Sequence, residues 1–132
     1  MKYTPDSIQR LGKNEIFVFG SNLAGVHAGG AAKTAAENFG AIEGKGEGLF
    51  GQSYAFPTKD EKLETLSLDQ IDASIDNLLI CCRNNPNLTF YLTKVGCGLA
   101  GYRVDEIANR FKTFRLPSNL ILPEEFHEII YS

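Results

Sequence analysis

The chain has 132 residues, of which 43% are hydrophobic and 22% charged, and its formal net charge is −3. This composition is typical of one globular domain, residues 1–132, with enough apolar material for a core. The negative net charge disfavours a strongly basic nucleic-acid surface. No apolar run reaches the ~18–20 residues that cross a bilayer, and the N-terminus lacks the apolar segment of a signal peptide. We therefore expect no membrane association and a cytoplasmic location.

The three cysteines are Cys81, Cys82 and Cys97. An odd number without a secretory signal disfavours a disulfide framework. The adjacent pair lies in an apolar stretch, where cysteines are more often small core residues than metal ligands. No CxxC or HxxxH spacing occurs, and the two histidines are His27 and His127, the latter expected at the surface. We predict no metal site and no resident cofactor.

The first half of the chain predicts a strand, a glycine-rich loop, a helix, a second loop and a strand. Residues 15–19, EIFVF, form a short apolar run, and residues 31–40, AAKTAAENFG, favour a helix that stops at glycine. Residues 41–52 carry four glycines and predict a loop. Residues 53–57, SYAFP, predict a short strand that ends at Pro57.

The second half continues the alternation. Residues 66–85 carry the strongest helix signal, because apolar residues recur at positions i, i+4, i+7 and i+8. Ser67, with Gln70 three residues later, predicts a capping box at the start of this helix. A strand, a helix, a strand and a tail are then expected at residues 88–94, 104–114, 119–123 and 124–132. Strands alternating with helices predict an α/β fold with a mixed, mostly parallel central sheet.

Two strand–loop–helix units share one design. IFVF leads into GSNLAGVHAGG at residues 20–30, and FYLTK leads into VGCGLAGY at residues 95–102. In open α/β sheets, ligands bind beyond the carboxyl ends of strands, where helix N-termini offer unpaired N–H groups. Glycine lets the backbone itself touch an anion. We expect the two loops to grip a diphosphate together; the alternative is that they are ordinary glycine-rich turns.

The standard phosphate motifs do not match either loop. GAIEGKG, residues 40–46, lacks the spacing and the hydroxyl residue of a Walker A loop. GSNLAG, residues 20–25, lacks the second glycine of the dinucleotide-binding fingerprint. GKGEG, residues 44–48, has no helical pattern behind it and is expected to be a flexible rim loop.

SNLAGVHAGGAAKTAAENFG, followed by VGCGLAGY, resembles the macro domain, an ADP-ribose-binding α/β module. The likeness covers roughly residues 17–111 and is closest to the small macro domains that act as terminal ADP-ribose glycohydrolases. There a segment like GAGIAxxFxxxFG corresponds to residues 28–40, and a phosphate loop, GCGL, corresponds to residues 96–99. The resemblance implies a three-layer αβα fold. It also implies binding of ADP-ribose or a related nucleotide diphosphate, with hydrolysis of ADP-ribosyl adducts as a further activity.

The resemblance implies roles for individual residues. Asn22 matches a position that reaches the distal ribose, and Lys59 matches a lysine that attacks C1″ of ADP-ribose, which requires a lowered pKa. His27, by its position in the first loop, is a further catalytic candidate as a proton donor or ribose contact. The ligand-binding candidates are Gly20, Ser21, Asn22, Gly29, Gly30, Ala31, Val95, Gly96, Cys97, Gly98, Leu99, Ala100, Gly101 and Tyr102.

The sequence departs from the family's pattern where catalysis is concerned. Ala100 follows GCGL, where the glycohydrolases carry an aspartate that assists the lysine, and the adenine-contacting aspartate has no clear match. A non-catalytic reader of ADP-ribose, or a structural or interaction module of a phage or bacterial operon, is the alternative. Lys59 and His27 are also compatible with an exposed turn and a solvent-exposed loop, and Cys97, with no base in view, is expected to pack. The oligomeric state stays open.

Overall fold

The computed structural model describes residues 2–132, which form one sheet and four helices. The strands of the sheet are β1 (Glu15–Asn22), β2 (Gly48–Phe50), β3 (Ser53–Lys59), β4 (Thr89–Leu92) and β5 (Leu120–Ile121). The helices are α1 (Gly30–Asn38), α2 (Leu68–Asn84), α3 (Val104–Lys112) and α4 (Glu124–Ile130).

The sheet has the strand order β2-β3-β1-β4-β5, with β1 at its centre. β1 pairs in parallel with both β3 and β4, and β4 pairs in parallel with β5. β2 alone is antiparallel, paired with β3. The α/β class and the mixed, mostly parallel sheet are therefore confirmed. Because β1, β3 and β4 run in the same direction, their carboxyl ends meet at one edge of the sheet.

Two hydrophobic cores lie on opposite faces of this sheet. Alternate residues of a strand face opposite sides, and in β1 Phe17 and Phe19 pack with Ala35 of α1. Ile16 and Val18 face the other way, into a larger core built with α2, α3 and α4. Helix α1 therefore covers one face, and the other three helices cover the opposite face.

Helix α2 begins and packs as its sequence predicts. Gln70 N–H donates to Ser67 Oγ at 3.2 Å, and Ser67 N–H donates to Gln70 Oε1 at 2.9 Å. This reciprocal pair is a capping box, which satisfies backbone donors left open by the first turn. The apolar stripe is fully buried and consists of Ile71, Ile75, Leu78, Leu79 and Cys82. Both predictions are confirmed.

The prediction that the strand beginning at residue 53 ends at Pro57 is wrong, because β3 continues to Lys59. Proline has no N–H to donate to a neighbouring strand. Pairing between β2 and β3 stops at Ala55, so the Pro57 nitrogen faces an edge where no ladder bond is required. The Pro57 carbonyl accepts a hydrogen bond from the buried Ser74 hydroxyl of α2 at 3.0 Å.

Three other elements differ from the sequence prediction. The first strand, predicted at residues 15–19, continues through Gly20 to Asn22 in β1, because β3 pairs with it over that length. The loop predicted at residues 41–52 contains β2, which turns back at Gly51 (φ 59°) to pair with β3. The predicted tail contains α4, whose Phe126 and Ile130 lie four residues apart and bury against the larger core.

Candidate ligand-binding cleft

A cleft of about 520 Å³ opens at the carboxyl ends of β1, β3 and β4. One wall is the end of β1 and the loop into α1, within residues 20–32, and the opposite wall is the loop after β4, residues 93–100. The end of β3, Thr58 and Lys59, completes it. This volume is within the ordinary range for small-molecule sites. The two glycine-rich loops lie side by side because β1 and β4 are neighbouring parallel strands.

Most of the residues singled out from the sequence line this cleft. Lys59 is one of them, and the others are Gly20, Ser21, Asn22, Gly29, Gly30, Ala31, Val95, Gly96, Gly98, Leu99 and Ala100. His27, Cys97, Gly101 and Tyr102 are not among the lining residues. Lining residues that the sequence reasoning missed are Val26, Ala28, Ala32, Thr58, Leu63, Thr93 and Lys94. Because ligands bind beyond the carboxyl ends of strands, the end of the strand predicted at residues 88–94 is the sequence signal that could have indicated Thr93 and Lys94.

Asn22 holds the first loop closed with its side chain. Its Oδ1 accepts the Val26 N–H at 3.0 Å, and its Nδ2 donates to the Val26 carbonyl at 2.9 Å. An asparagine amide has two N–H groups and two lone pairs. One donor and one acceptor of Asn22 therefore remain for a ligand, while the other two fix the shape of the wall.

The segment of residues 42–46 supports the first loop from behind. The Ser21 hydroxyl donates to the Gly46 carbonyl, and Gly44 N–H donates to the Gly25 carbonyl at 2.9 Å. Gly46 is buried, and a Cβ added there would lie 2.2 Å from the Asn22 carbonyl oxygen. This part of the predicted rim loop is packed against the cleft wall, where only a glycine fits.

His27 lies behind the first loop and not in the cleft. His27 is 5% exposed, and its Nε2 lies 3.0 Å from the Ile42 carbonyl and 3.2 Å from the Lys45 carbonyl. Because both partners are acceptors, Nε2 carries the proton. The His27 backbone N–H donates to Glu43 Oε1 at 2.8 Å. The geometry gives His27 the role of fastening residues 42–45 to the loop, which corrects both its expected contact with ligand and the alternative of solvent exposure.

The second loop is tied to the segment that precedes α2. The Tyr102 hydroxyl donates to the Leu66 carbonyl, and the Thr65 hydroxyl donates to the Ala100 carbonyl at 2.9 Å. Tyr102 N–H also donates to the Gly96 carbonyl at 3.0 Å, across the loop. Tyr102 therefore anchors the loop, which corrects its expected place among the ligand contacts.

Both loops contribute residues with unpaired backbone N–H groups to the lining of the cleft. The N–H groups of residues 98–100 have no acceptor among residues 2–132, and neither do those of residues 30–32 in the first turn of α1. Helix α1 has no side-chain cap. A Cβ added at Gly29, Gly30 or Gly98 would meet nothing within 4 Å, so there is open space beside the backbone of both loops. Such an arrangement suits an anion.

The charged side chains of the cleft are both lysines. Lys59 ends β3 and Lys94 follows β4. The strands β3 and β4 flank β1, so the strand axes are about 10 Å apart. In the described part of the chain, no Asp, Glu, His or Cys lines the cleft. Asp60, beside Lys59 in sequence, accepts N–H bonds from Lys62 and Glu64 and so closes a turn. The charged side chains that line the cleft are therefore both cationic, and no lining carboxylate could act as a general base.

Cys97 packs beneath the second loop, which agrees with the expectation that it packs and corrects its place among the ligand-binding candidates. Its side chain lies against the larger core, and its Sγ donates to the Val95 carbonyl at 3.5 Å. Burial raises the pKa of the Cys97 thiol to about 11 and that of Cys82 to about 12. A thiol with a pKa of about 11 is only about 0.1% thiolate at pH 8.

We expect the native protein to resist thiol reagents. At pH 8, Cys97 should react with Ellman's reagent about 100-fold more slowly than free glutathione, and Cys82 about tenfold more slowly still, because so little of either thiol is ionised. In guanidinium chloride all three free cysteines should react at the rate of the small thiol. Rapid labelling of native Cys97, located by mass spectrometry, would contradict this account of the loop.

Within residues 2–132 no helix combines the length and the apolarity needed to cross a bilayer. The fold and the cleft define an α/β protein with an opening, lined by two lysines, at the carboxyl ends of its central strands. Comparison of the chain with protein-family models, curated proteins and solved structures finds no match. The function must therefore be argued from the cleft itself.

Proposed function

We propose that the cleft binds ADP-ribose or a related nucleotide diphosphate. The observation that carries the proposal is the meeting of two sets of unpaired N–H groups, residues 30–32 and 98–100, in one opening. Two lysines, Lys59 and Lys94, stand on either side of it. A diphosphate carries two negative charges, which can pair with the two lysines, and several oxygens, which can accept hydrogen bonds from the N–H groups.

Exposed apolar side chains on the same cleft favour a ligand larger than phosphate. Val26 is 42% exposed, Leu63 is 49% exposed and Leu99 is 92% exposed, and all three line the opening. A nucleobase or ribose face that covers them would remove apolar surface from water. The macro-domain resemblance of the two loops names ADP-ribose as the first ligand to test.

Binding without turnover is the better-supported version of this proposal. Hydrolysis would use Lys59 as the nucleophile on C1″, together with a group that transfers a proton. Of the residues that the structure describes, no carboxylate or imidazole lines the cleft, and Ala100 occupies the position of the family's aspartate. A macro-like reader of ADP-ribose fits these residues, and hydrolysis of an ADP-ribosyl adduct is the second candidate because Lys59 lines the cleft.

Calorimetric titration with ADP-ribose, NAD and ATP tests the proposal. We expect saturable binding of ADP-ribose, and ribose 5-phosphate, which lacks the diphosphate, should bind more weakly. No heat of binding with any of the three nucleotides at millimolar concentration would overturn the proposal and favour a structural or interaction module.

A turnover assay on an ADP-ribosylated protein distinguishes the non-catalytic reader from the hydrolase. Release of ADP-ribose that is lost in Lys59→Ala and Asn22→Ala would establish the hydrolase.

A further inference from the structure

Lys94 stands where the cleft meets a second groove. This groove has a volume of about 530 Å³ and lies between the N-terminal segment and the start of α4. Of the residues that the structure describes, Lys94 alone lines both openings. The groove is acidic, and its carboxylates belong to Asp6, Glu124, Glu125 and Glu128.

The ammonium group of Lys94 forms an ion pair with Glu125 on α4. Both side chains keep substantial contact with water, at 40% and 54% exposure. The hydrogen bond to Glu125 raises the pKa of Lys94, so the lysine stays charged at neutral pH. Exposed ion pairs contribute little to stability, so an anion of higher charge can displace the carboxylate.

We propose that Lys94 is a further anion-binding residue of the cleft and that Glu125 competes with the ligand for its ammonium group. The inference rests on the proposed function, because the incoming anion is the diphosphate. Lysine carries its charge on a flexible four-carbon stem, so one residue at the junction serves either opening. With the cleft empty, the ammonium group lies against Glu125; with a diphosphate bound, it turns to a phosphate oxygen. The strength of the ion pair with Glu125 then determines how much Lys94 contributes to the affinity for the diphosphate.

Four variants test this competition by titration with ADP-ribose and, separately, with inorganic pyrophosphate. Lys94→Gln should weaken binding about 10-fold, and Glu125→Gln should tighten it about 3-fold, because the first removes a cation and the second frees it. The double variant should match Lys94→Gln within about 2-fold. The control, Glu128→Gln, removes a carboxylate of the same groove that is not paired with Lys94 and should stay within about 2-fold of the unmodified chain.

The effect of Glu125→Gln on affinity, measured with and without Lys94, distinguishes competition for the ammonium group from a general effect of charge and from a structural role of the ion pair. Unchanged affinity in Lys94→Gln would overturn the inference and leave the proposed function standing. Tightening by Glu125→Gln that persists in the Lys94→Gln background would also overturn it. If pyrophosphate binds but ADP-ribose, NAD and ATP do not, the proposed function fails, and the pyrophosphate series decides the inference. Failure of pyrophosphate and of all three nucleotides to bind the unmodified chain overturns both. Thermal unfolding of each variant shows that affinity changes do not come from a loss of fold.

Discussion

Replacing Gly46 with alanine is expected to lower the free energy of unfolding by about 3 kcal/mol and to abolish binding of ADP-ribose. The new Cβ would lie 2.2 Å from the Asn22 carbonyl oxygen and 2.8 Å from the Leu23 Cα. Both are backbone atoms, so relief of the overlap requires the first wall of the cleft to move. That movement would displace Asn22 and break the hydrogen bond from Ser21 to the Gly46 carbonyl.

Gly29→Ala is the matched control for this substitution. Gly29 has an extended backbone (φ −154°), and a Cβ there would meet nothing within 4 Å. We expect its free energy of unfolding to stay within about 0.5 kcal/mol of the unmodified chain. Urea unfolding followed by circular dichroism measures both variants. Equal stability of Gly46→Ala and Gly29→Ala would show that residues 42–46 do not pack beneath the first loop.

The features that could be predicted from the sequence are those fixed by neighbouring residues. A capping box needs only Ser67 and Gln70, three residues apart, and the stripe along α2 needs only its own periodicity. The pairing of an apolar run with a glycine-rich loop is also local. Because the carboxyl ends of parallel strands lie at the same edge of a sheet, the loops after β1 and β4 lie at one edge.

The errors arose where distant residues decide the outcome. Pro57 stays within a strand because the pairing of β3 with β2 stops at Ala55 and because Ser74 supplies a hydrogen bond from another element. His27 looked free in a loop, yet it is buried because residues 42–45 fold back over it. The place of Lys94 in the cleft depends on β4 lying beside β1, an adjacency that the sequence pattern does not specify.

Reversing the charge of Lys59 is expected to weaken ADP-ribose binding about 100-fold, with stability unchanged within about 0.5 kcal/mol. Lys59 lines the cleft, and in residues 2–132 its ammonium group has no ion-pair partner that Lys59→Glu would break. Removing a cation near a half-exposed phosphate and placing an anion there should each cost about 1–2 kcal/mol, and 1.4 kcal/mol corresponds to a tenfold change in affinity.

Lys62→Glu makes the same charge change three residues away, on an exposed turn whose residue 62 does not line the cleft. Calorimetric titration should find it within about 3-fold of the unmodified chain, because solvent screens a charge at that position. Raising the salt concentration to about 0.5 M should reduce the difference in affinity between the two variants, since the Debye length then falls to about 4 Å. Equal losses in Lys59→Glu and Lys62→Glu would mean that only net charge matters and that Lys59 lies away from the phosphates. A much larger loss in Lys59→Glu, reduced by salt, places the diphosphate between the end of β3 and the two loops.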